Sequence, residues 1–252
     1  MQKLTTTQLF KTANSASAVI TRIGLIVLST DEVGERAFTT ILPQEKVSVF
    51  TTRTAYNDDD EEFSLATSFA EVANTLPPPG RLDVLAFSCT SGSVALGTQS
   101  LLAQLAEARP DIKYTSPSIA AVASLKKLGA KNIAMLTPYP LLMHQSFIRF
   151  FNEHGFVVGE NGTFACSTDA EISELARVEL FEAAKALVHA SRPDALFVSC
   201  TATPIVPHIE ALEAEIGIPV VSSSQAMAWD ALRLAGYSQP ILGYGRLLAC
   251  ER

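Results

Sequence analysis

Two segments of this chain repeat each other, and each delivers a cysteine at the end of an apolar run. Leu82-Asp83-Val84-Leu85-Ala86-Phe87-Ser88-Cys89-Thr90 aligns with Pro193-Asp194-Ala195-Leu196-Phe197-Val198-Ser199-Cys200-Thr201. Both read aspartate, a strand-sized apolar stretch, then Ser-Cys-Thr. A thiolate is a nucleophile and a base, and a thiol is an acid. Two of them facing one cleft can take a proton from one side of a small molecule and return it on the other. A lone cysteine is more often a small buried hydrophobe, and that reading stands for Cys166 and Cys250. The duplicated setting outweighs it for Cys89 and Cys200. None of the four cysteines sits in a C-x-x-C pair, so zinc and dithiol redox chemistry start weak and free thiols are expected.

The elements that must position these thiols follow from the alternation of apolar runs and helical spacing. Strands are predicted over 22–28, 47–52, 84–87, 132–136, 156–158, 196–198 and 219–221. Helices are predicted over 63–76, from Cys89 to about Ala108, and over 119–128, 141–154, 170–190, 206–215 and 225–234. Breakers close several of them: Pro77-Pro78-Pro79-Gly80, Gly129, Gly155 and Gly236. Strands alternating with helices predict an α/β fold with parallel sheets covered on both faces.

The repeat extends beyond the cysteines. Ile23 and Ile133 lie 110 residues apart, Cys89 and Cys200 111, and Gly129 and Gly236 107. One shared offset predicts two similar halves with a ligand cleft between them. The expected organisation is a polar leader over 1–20, a first half over 21–118 with Cys89, and a second over 119–225 with Cys200. A C-terminal helix and tail over 226–252 would cross over to complete the first half.

In open α/β sheets, ligands sit beyond the carboxyl ends of the strands. Those ends carry Ser29-Thr30-Asp31, Ser88-Cys89-Thr90-Ser91-Gly92, Thr137-Pro138-Tyr139, Ser199-Cys200-Thr201 and Ser222-Ser223-Ser224. No G-x-G-x-x-G follows a strand and no P-loop occurs, which disfavours nucleotides. A cysteine just before a helix gains from the helix dipole, which favours thiolate and can lower its pKa below about 8.5. The same backbone N–H groups, with Thr90, Ser91 and Thr201, can hold a carboxylate. A small anion between two cysteines is the expectation.

The bulk numbers allow one large domain or two small ones. At 252 residues and 48% hydrophobic, the chain can bury a real core. A formal charge of −7 without a basic cluster makes nucleic acid an unsuitable partner. No apolar run approaches a membrane span, and the first twenty residues lack a secretion-signal layout, so a reducing cytoplasm is expected. The apolar stretch Ile119–Leu128 suggests a homo-oligomer.

With these residues in view, the chain resembles the maleate isomerase and arylmalonate decarboxylase branch of the aspartate/glutamate racemase superfamily. The resemblance covers nearly everything after residue 20. It rests on Ser88-Cys89-Thr90-Ser91, Thr137-Pro138-Tyr139, Ser199-Cys200, Ile218-Pro219-Val220-Val221-Ser222-Ser223-Ser224 and Gly243-Tyr244-Gly245-Arg246-Leu247. It implies two pseudo-symmetric Rossmann-like halves with parallel sheets, the site in the cleft between them, and no metal or organic cofactor. It implies Cys89 as nucleophile or first base, Cys200 as the opposing acid, Tyr139 as a phenol bonding a substrate carboxylate, and Thr90 and Ser91 as the carboxylate cradle. Both cysteines are present where decarboxylases keep only the second. That favours cis–trans isomerisation or racemisation over a carbon-acid lyase or a non-catalytic carboxylate binder.

Two positions depart from that pattern. Asp31 and Asp169 stand where maleate isomerases carry asparagines. An amide can donate to a carboxylate, whereas an ionised acid repels it. Either the acids pair with an amino group on the substrate, or one assists a cysteine as a base. Each is equally readable as a helix cap. Glu35, one turn after Asp31, can steady that loop, and Arg53 is placed to reach a carboxylate. The acidic run Asp58-Asp59-Asp60-Glu61-Glu62 reads as a solvated loop near the cleft. His144, His154, His189 and His208 read as surface or cap residues.

Overall fold

A computed structural model describes residues 8–10, 20–56 and 64–250 of the chain. Most of the polar leader and the acidic run at 58–62 lie outside the described residues. The elements follow in order: β1 (Thr21–Leu28), α1 (Gly34–Ile41), β2 (Val47–Thr54), α2 (Phe69–Ala73), β3 (Val84–Ser88), α3 (Thr90–Leu96), α4 (Thr98–Ala108), β4 (Lys113–Thr115), α5 (Pro117–Lys127) and β5 (Asn132–Thr137). Then come α6 (Leu141–Glu153), β6 (Val157–Thr163), α7 (Asp169–Ser173), α8 (Arg177–Ser191), β7 (Ala195–Val198), a 3₁₀ turn at Val206–His208, α9 (Ile209–Ile216), β8 (Val220–Ser222), α10 (Ser223–Leu234) and α11 (Arg246–Ala249).

The strands form two four-stranded parallel sheets with one topology, β2-β1-β3-β4 and β6-β5-β7-β8. The duplicated aspartates do the same work in each. Asp83 Oδ2 accepts from Arg22 N at 2.7 Å, and Asp194 Oδ2 accepts from Lys131 N and Asn132 N at 2.9 and 2.8 Å. Each carboxylate thus ties the start of the cysteine-bearing strand to its central neighbour, β1 or β5. Ile23 then pairs with Val84, and Ile133 with Ala195. In both sheets the chain leaves the first strand to one side and returns on the other. A crevice opens at that reversal, beyond the carboxyl ends of β1 and β3, and of β5 and β7.

The central strands are buried along their lengths, as β-strands covered on both faces must be. α10 is buried nearly all round and packs on α5, α1 and β3. Its polar residues are spent internally. Asp230 accepts from Thr115 Oγ1 at 2.6 Å and pairs with Arg233, while Gln225 donates to Tyr244 O at 2.6 Å.

Several expected elements differ. The helix over 63–76 shrinks to α2, closed at its start by the Ser68–Glu71 capping box. Gly97, at φ +75°, splits the helix after Cys89 into α3 and α4. The helix over 170–190 breaks into α7 and α8. β4 and α11 are too short to show a period. α5 buries its apolar face against α10 within the same chain, so the stretch that suggested an oligomer serves the chain's own core. His144 is buried, not superficial. Its ring bridges Thr137 Oγ1 and Asn161 Oδ1, each at 2.9 Å, joining α6 to β5 and β6. His154 does act at its helix end, with Nδ1 2.7 Å from Phe150 O. Among the described residues, no helix is long and apolar enough to cross a membrane.

Candidate active site

A cavity of about 240 Å³ opens between the two sheets, beyond the ends of their central strands. Asp31, Cys89, Thr90, Ser91, Tyr139, Asp169, Cys200 and Thr201 all line it. These eight expected site residues are therefore brought to one place, whereas Arg53 and Glu35 are not among its lining. Leu28, Tyr56, Pro140, Leu142, Met143, Cys166, Ser167, Thr168 and Ile172 complete the wall.

Cys89 follows β3 and is the N-cap of α3, its sulfur accepting from Gly92 N at 3.2 Å. Ser91 Oγ lies 3.5 Å from the same sulfur. The expected helix start is present, but its effect on the thiol is outweighed. Burial, at 4% exposure, pushes the thiol up to about 12, while Ser91 and Gly92 pull the other way and Asp169 and Asp31 add to the rise. Taking a charge out of water costs more here than two hydrogen bonds to sulfur return.

Cys200 departs from expectation more clearly. No helix begins at it; a turn and the 3₁₀ segment separate it from α9. Its φ is +78°, a region that non-glycine residues rarely occupy and that concentrates at functional sites. Burial and the two acids hold this thiol well above its usual range, and the Ala202 N–H and Tyr139 phenol work against them. Both cysteines therefore rest as protonated thiols, each beside donors suited to a thiolate.

Tyr139 lies at the end of β5 between two prolines and stacks on Phe147 at 5.1 Å. Its hydroxyl accepts from Ser199 Oγ at 3.3 Å, next to Cys200. Burial and the neighbouring thiols raise its pKa well above the phenol value, so it serves as a donor. Thr90 Oγ1 donates to Ser223 Oγ at 3.0 Å, which fixes its side chain at the start of α3. The carbonyl of Thr201 accepts from Ser224 Oγ at 3.3 Å. The serines after β8 thus support the wall from behind.

The two acids are held differently. Asp31 is 1% exposed, and its Oδ1 accepts from Val33 N and Gly34 N at 2.9 and 2.7 Å. Its Oδ2 is buried without a hydrogen-bond partner. Val33, not Asp31, is the N-cap of α1, so the cap reading of Asp31 fails; its Oδ1 instead closes the turn that leads into the helix. Asp169 is the first residue of α7, and Thr168 supplies the cap, so Asp169 is not an N-cap. Asp169 Oδ2 instead accepts from Thr30 Oγ1 at 2.6 Å across the cleft. Arg53 reaches no cavity carboxylate. It donates to the carbonyls of Leu28 and Asp31 and pairs with Glu35 at 3.0 Å, bracing the Asp31 loop from outside.

Cys166, set aside as a lone cysteine, is half-buried and forms part of the cavity wall. Nothing in its local sequence marks it, because the β6–α7 loop reaches the site only through the fold. Leu142 and Met143, at the start of α6, also line the cavity, and nothing in the local sequence marks either. Among the described residues, no cluster of His, Cys, Asp and Glu could hold a metal ion.

The comparisons place this geometry. The family model described as arylmalonate decarboxylase matches residues 64–248. The maleate isomerase of Nocardia farcinica is 27% identical over 246 residues, spanning 91% of this chain and 96% of that protein. The arylmalonate decarboxylase of Bordetella bronchiseptica is 32% identical over 142 residues, 53% of this chain and 56% of that protein. A solved structure of the Nocardia farcinica maleate cis-trans isomerase superposes with a TM-score of 0.78 at 25% identity, covering 91% of this chain and 98% of that one. That structure is a cysteine-to-serine mutant with a covalently bound succinylcysteine intermediate. With two thiols in one cleft between matching sheets, this chain belongs to the arylmalonate decarboxylase family, in the maleate isomerase and arylmalonate decarboxylase branch of the aspartate/glutamate racemase superfamily, and is an isomerase.

Proposed function

We propose that the chain isomerises a small carboxylic acid held between Cys89 and Cys200. The observation that carries this reading is the placement of two buried thiols, from equivalent strand ends, on the wall of one small cavity. Thr90, Ser91 and Thr201 hold the substrate carboxylate with hydroxyl and backbone N–H groups, and the Tyr139 phenol donates to it. A carboxylate so bound is poised to spread negative charge from the adjacent carbon.

Two routes share this machinery. In cis–trans isomerisation, the Cys89 thiolate adds to one alkene carbon while the neighbouring carbon takes the proton of the Cys200 thiol, leaving a succinyl thioether on Cys89 and a thiolate at Cys200. The new single bond rotates, the Cys200 thiolate takes the proton back, and the C–H pair re-forms the double bond as the C–S bond breaks and Cys89 leaves as thiolate. The succinylcysteine in the Nocardia enzyme supports this route. In racemisation, one thiolate removes the α-proton and the opposite thiol returns one to the other face. Retention of Cys89 as well as Cys200 separates both routes from a decarboxylase that works with the second thiol alone.

Maleate is the substrate suggested by the relatives, and Asp31 and Asp169 extend the reading to acids carrying an amino group. Four free cysteines fit a reducing, cytoplasmic setting. Exposed Leu141, Leu142 and Val178 provide apolar surface for a homo-oligomer. The test is to incubate maleate, aspartate, glutamate, diaminobutyrate and arylmalonates with the protein in deuterated water. Proton NMR then reads cis–trans conversion and label at the α-carbon. One acid should convert, or exchange, in a manner lost in Cys89→Ala. No conversion or exchange with any of them would count for a binding protein instead.

A further inference from the structure

His144 is a buried titratable side chain that neither route uses, yet both of its ring nitrogens are engaged. A leucine or phenylalanine would fill a core position on α6 without the cost of burying an imidazole. What the imidazole adds is a bridge. Nδ1 lies 2.9 Å from Thr137 Oγ1 at the end of β5, and Nε2 lies 2.9 Å from Asn161 Oδ1 on β6. Asn161 Nδ2 donates to Gly159 O at 2.9 Å, so its Oδ1 faces the ring as an acceptor and Nε2 carries the proton. In the neutral ring, Nδ1 is left to accept from the Thr137 hydroxyl. β6 is bulged just here: Ile133 pairs with Val158 but Met135 with Asn161, one residue more on β6 than on β5. Bulges re-aim the side chains beyond them and gather beside active sites.

The bridge lies directly behind the cavity wall. Thr137, Pro138, Tyr139 and Pro140 run straight into α6, and Tyr139, Pro140, Leu142 and Met143 all line the cavity. His144 itself is not part of the lining. The backbone of this stretch is pinned at several points. His144 N donates to Pro140 O at 3.0 Å, Cys166 N to Pro138 O at 2.7 Å, and Thr163 Oγ1 to Tyr139 O. The ring of Tyr139 rests on Phe147, one turn beyond His144 on α6, with centroids 5.1 Å apart. How α6 sits on β5 therefore sets the place of the phenol, and the His144 bridge ties the two together.

We infer that His144 is a positioning residue for the reaction: through Thr137 and Asn161 it locks the start of α6 against β5 and β6, and so holds the Tyr139 phenol where it donates to the substrate carboxylate. The inference rests on the role given to Tyr139 above. His144 acts on the substrate only through that phenol, and a small displacement of a positioned group is enough to slow a reaction.

The variants are Thr137→Val, which keeps the shape of the side chain and removes its hydroxyl, and His144→Leu. Each is made in the native chain and in Tyr139→Phe; Thr137→Val is the milder change and decides alone should His144→Leu fail to fold. The first readout needs no turnover. In the full chain labelled with carbon-13 in its tyrosine rings, the Tyr139 line is identified by its loss in Tyr139→Phe. It should move or broaden in both variants, while the line of Tyr114, which donates to Arg109 O in the other half, stays in place. The second readout is conversion of maleate. In both variants kcat should fall by about 5- to 10-fold with KM changed by less than about twofold. In Tyr139→Phe the same substitutions should lower kcat by less than about twofold, because the phenol is already gone, while urea midpoints fall as far as in the native chain. His144→Asn, whose side-chain oxygen stands where Nδ1 does, should recover kcat toward the native value. An unmoved Tyr139 line, an unchanged kcat, or a kcat loss of the same size with and without the phenol overturns the inference. Should the native chain convert no maleate, that result strikes the reading of the reaction, and the tyrosine line decides this inference by itself.

Discussion

Thr30 Oγ1 donates to Asp169 Oδ2 at 2.6 Å, joining residues 139 positions apart and closing one side of the cleft between the two sheets. The pair ties the loop after β1 to the first turn of α7. Hydrogen bonds to a charged group contribute about 1.5–3 kcal/mol. Thr30→Val should therefore lower stability by roughly 1–2 kcal/mol in urea unfolding. It should also raise KM more than it lowers kcat, because the acid it steers lines the cavity rather than bearing the reacting sulfur.

Gly34 is needed for its missing side chain, not for a special φ. In Gly34→Ala the new methyl would meet Asp31 Oδ2 at 2.3 Å. Either α1 or the Asp31 turn must move, and overpacking of this kind costs about 1–3 kcal/mol. Thermal unfolding should show the loss. Substrate affinity should fall further than in a comparable substitution remote from the cleft, such as one on the outer face of α1.

The fold was readable where the chain repeats itself. Asp83 and Asp194 share a backbone-binding role, and Cys89 and Cys200 share a strand end, so one offset revealed both sheets. Details unique to one copy were hidden. Cys200 takes φ +78° over a turn while Cys89 caps a helix, although both read Ser-Cys-Thr. Cys166 reaches the wall on the short loop between β6 and α7, and His144 is buried by contacts with Asn161 that no local pattern announces. The partition of the Asp31 carboxylate, one oxygen on the Val33 and Gly34 amides and one unpartnered, exists only in three dimensions.

The raised thiols set the alkaline behaviour of the fold. An unfolded cysteine ionises near 9.0, whereas folded Cys89 holds its proton up to about 12. The folded state therefore binds the proton more tightly between those values, and stability present below pH 9 is lost as pH rises through that window. Cys200 and Tyr139 shift in the same direction. Urea midpoints should fall from about pH 8 to about pH 10.5. They should fall less steeply in Cys89→Ser, whose hydroxyl does not titrate there. Alkylation of Cys89 and Cys200 by iodoacetamide, read by peptide mapping, should likewise be slow at neutral pH.

Tyr139→Phe separates the phenol from the ring. Stacking on Phe147 survives, but Ser199 Oγ loses its acceptor, for about 1 kcal/mol of stability. Turnover should drop by about 10- to 100-fold, the lower end of what removal of a donor to developing charge causes. Rescue of rate without rescue of stability by a second substitution at Ser199 would contradict this assignment.

The central claim is that both sulfurs act. Cys89→Ala and Cys200→Ala should each retain the circular dichroism of the native chain and lose conversion of the acid identified by NMR to background. Full activity in either variant, with the fold intact, would contradict it.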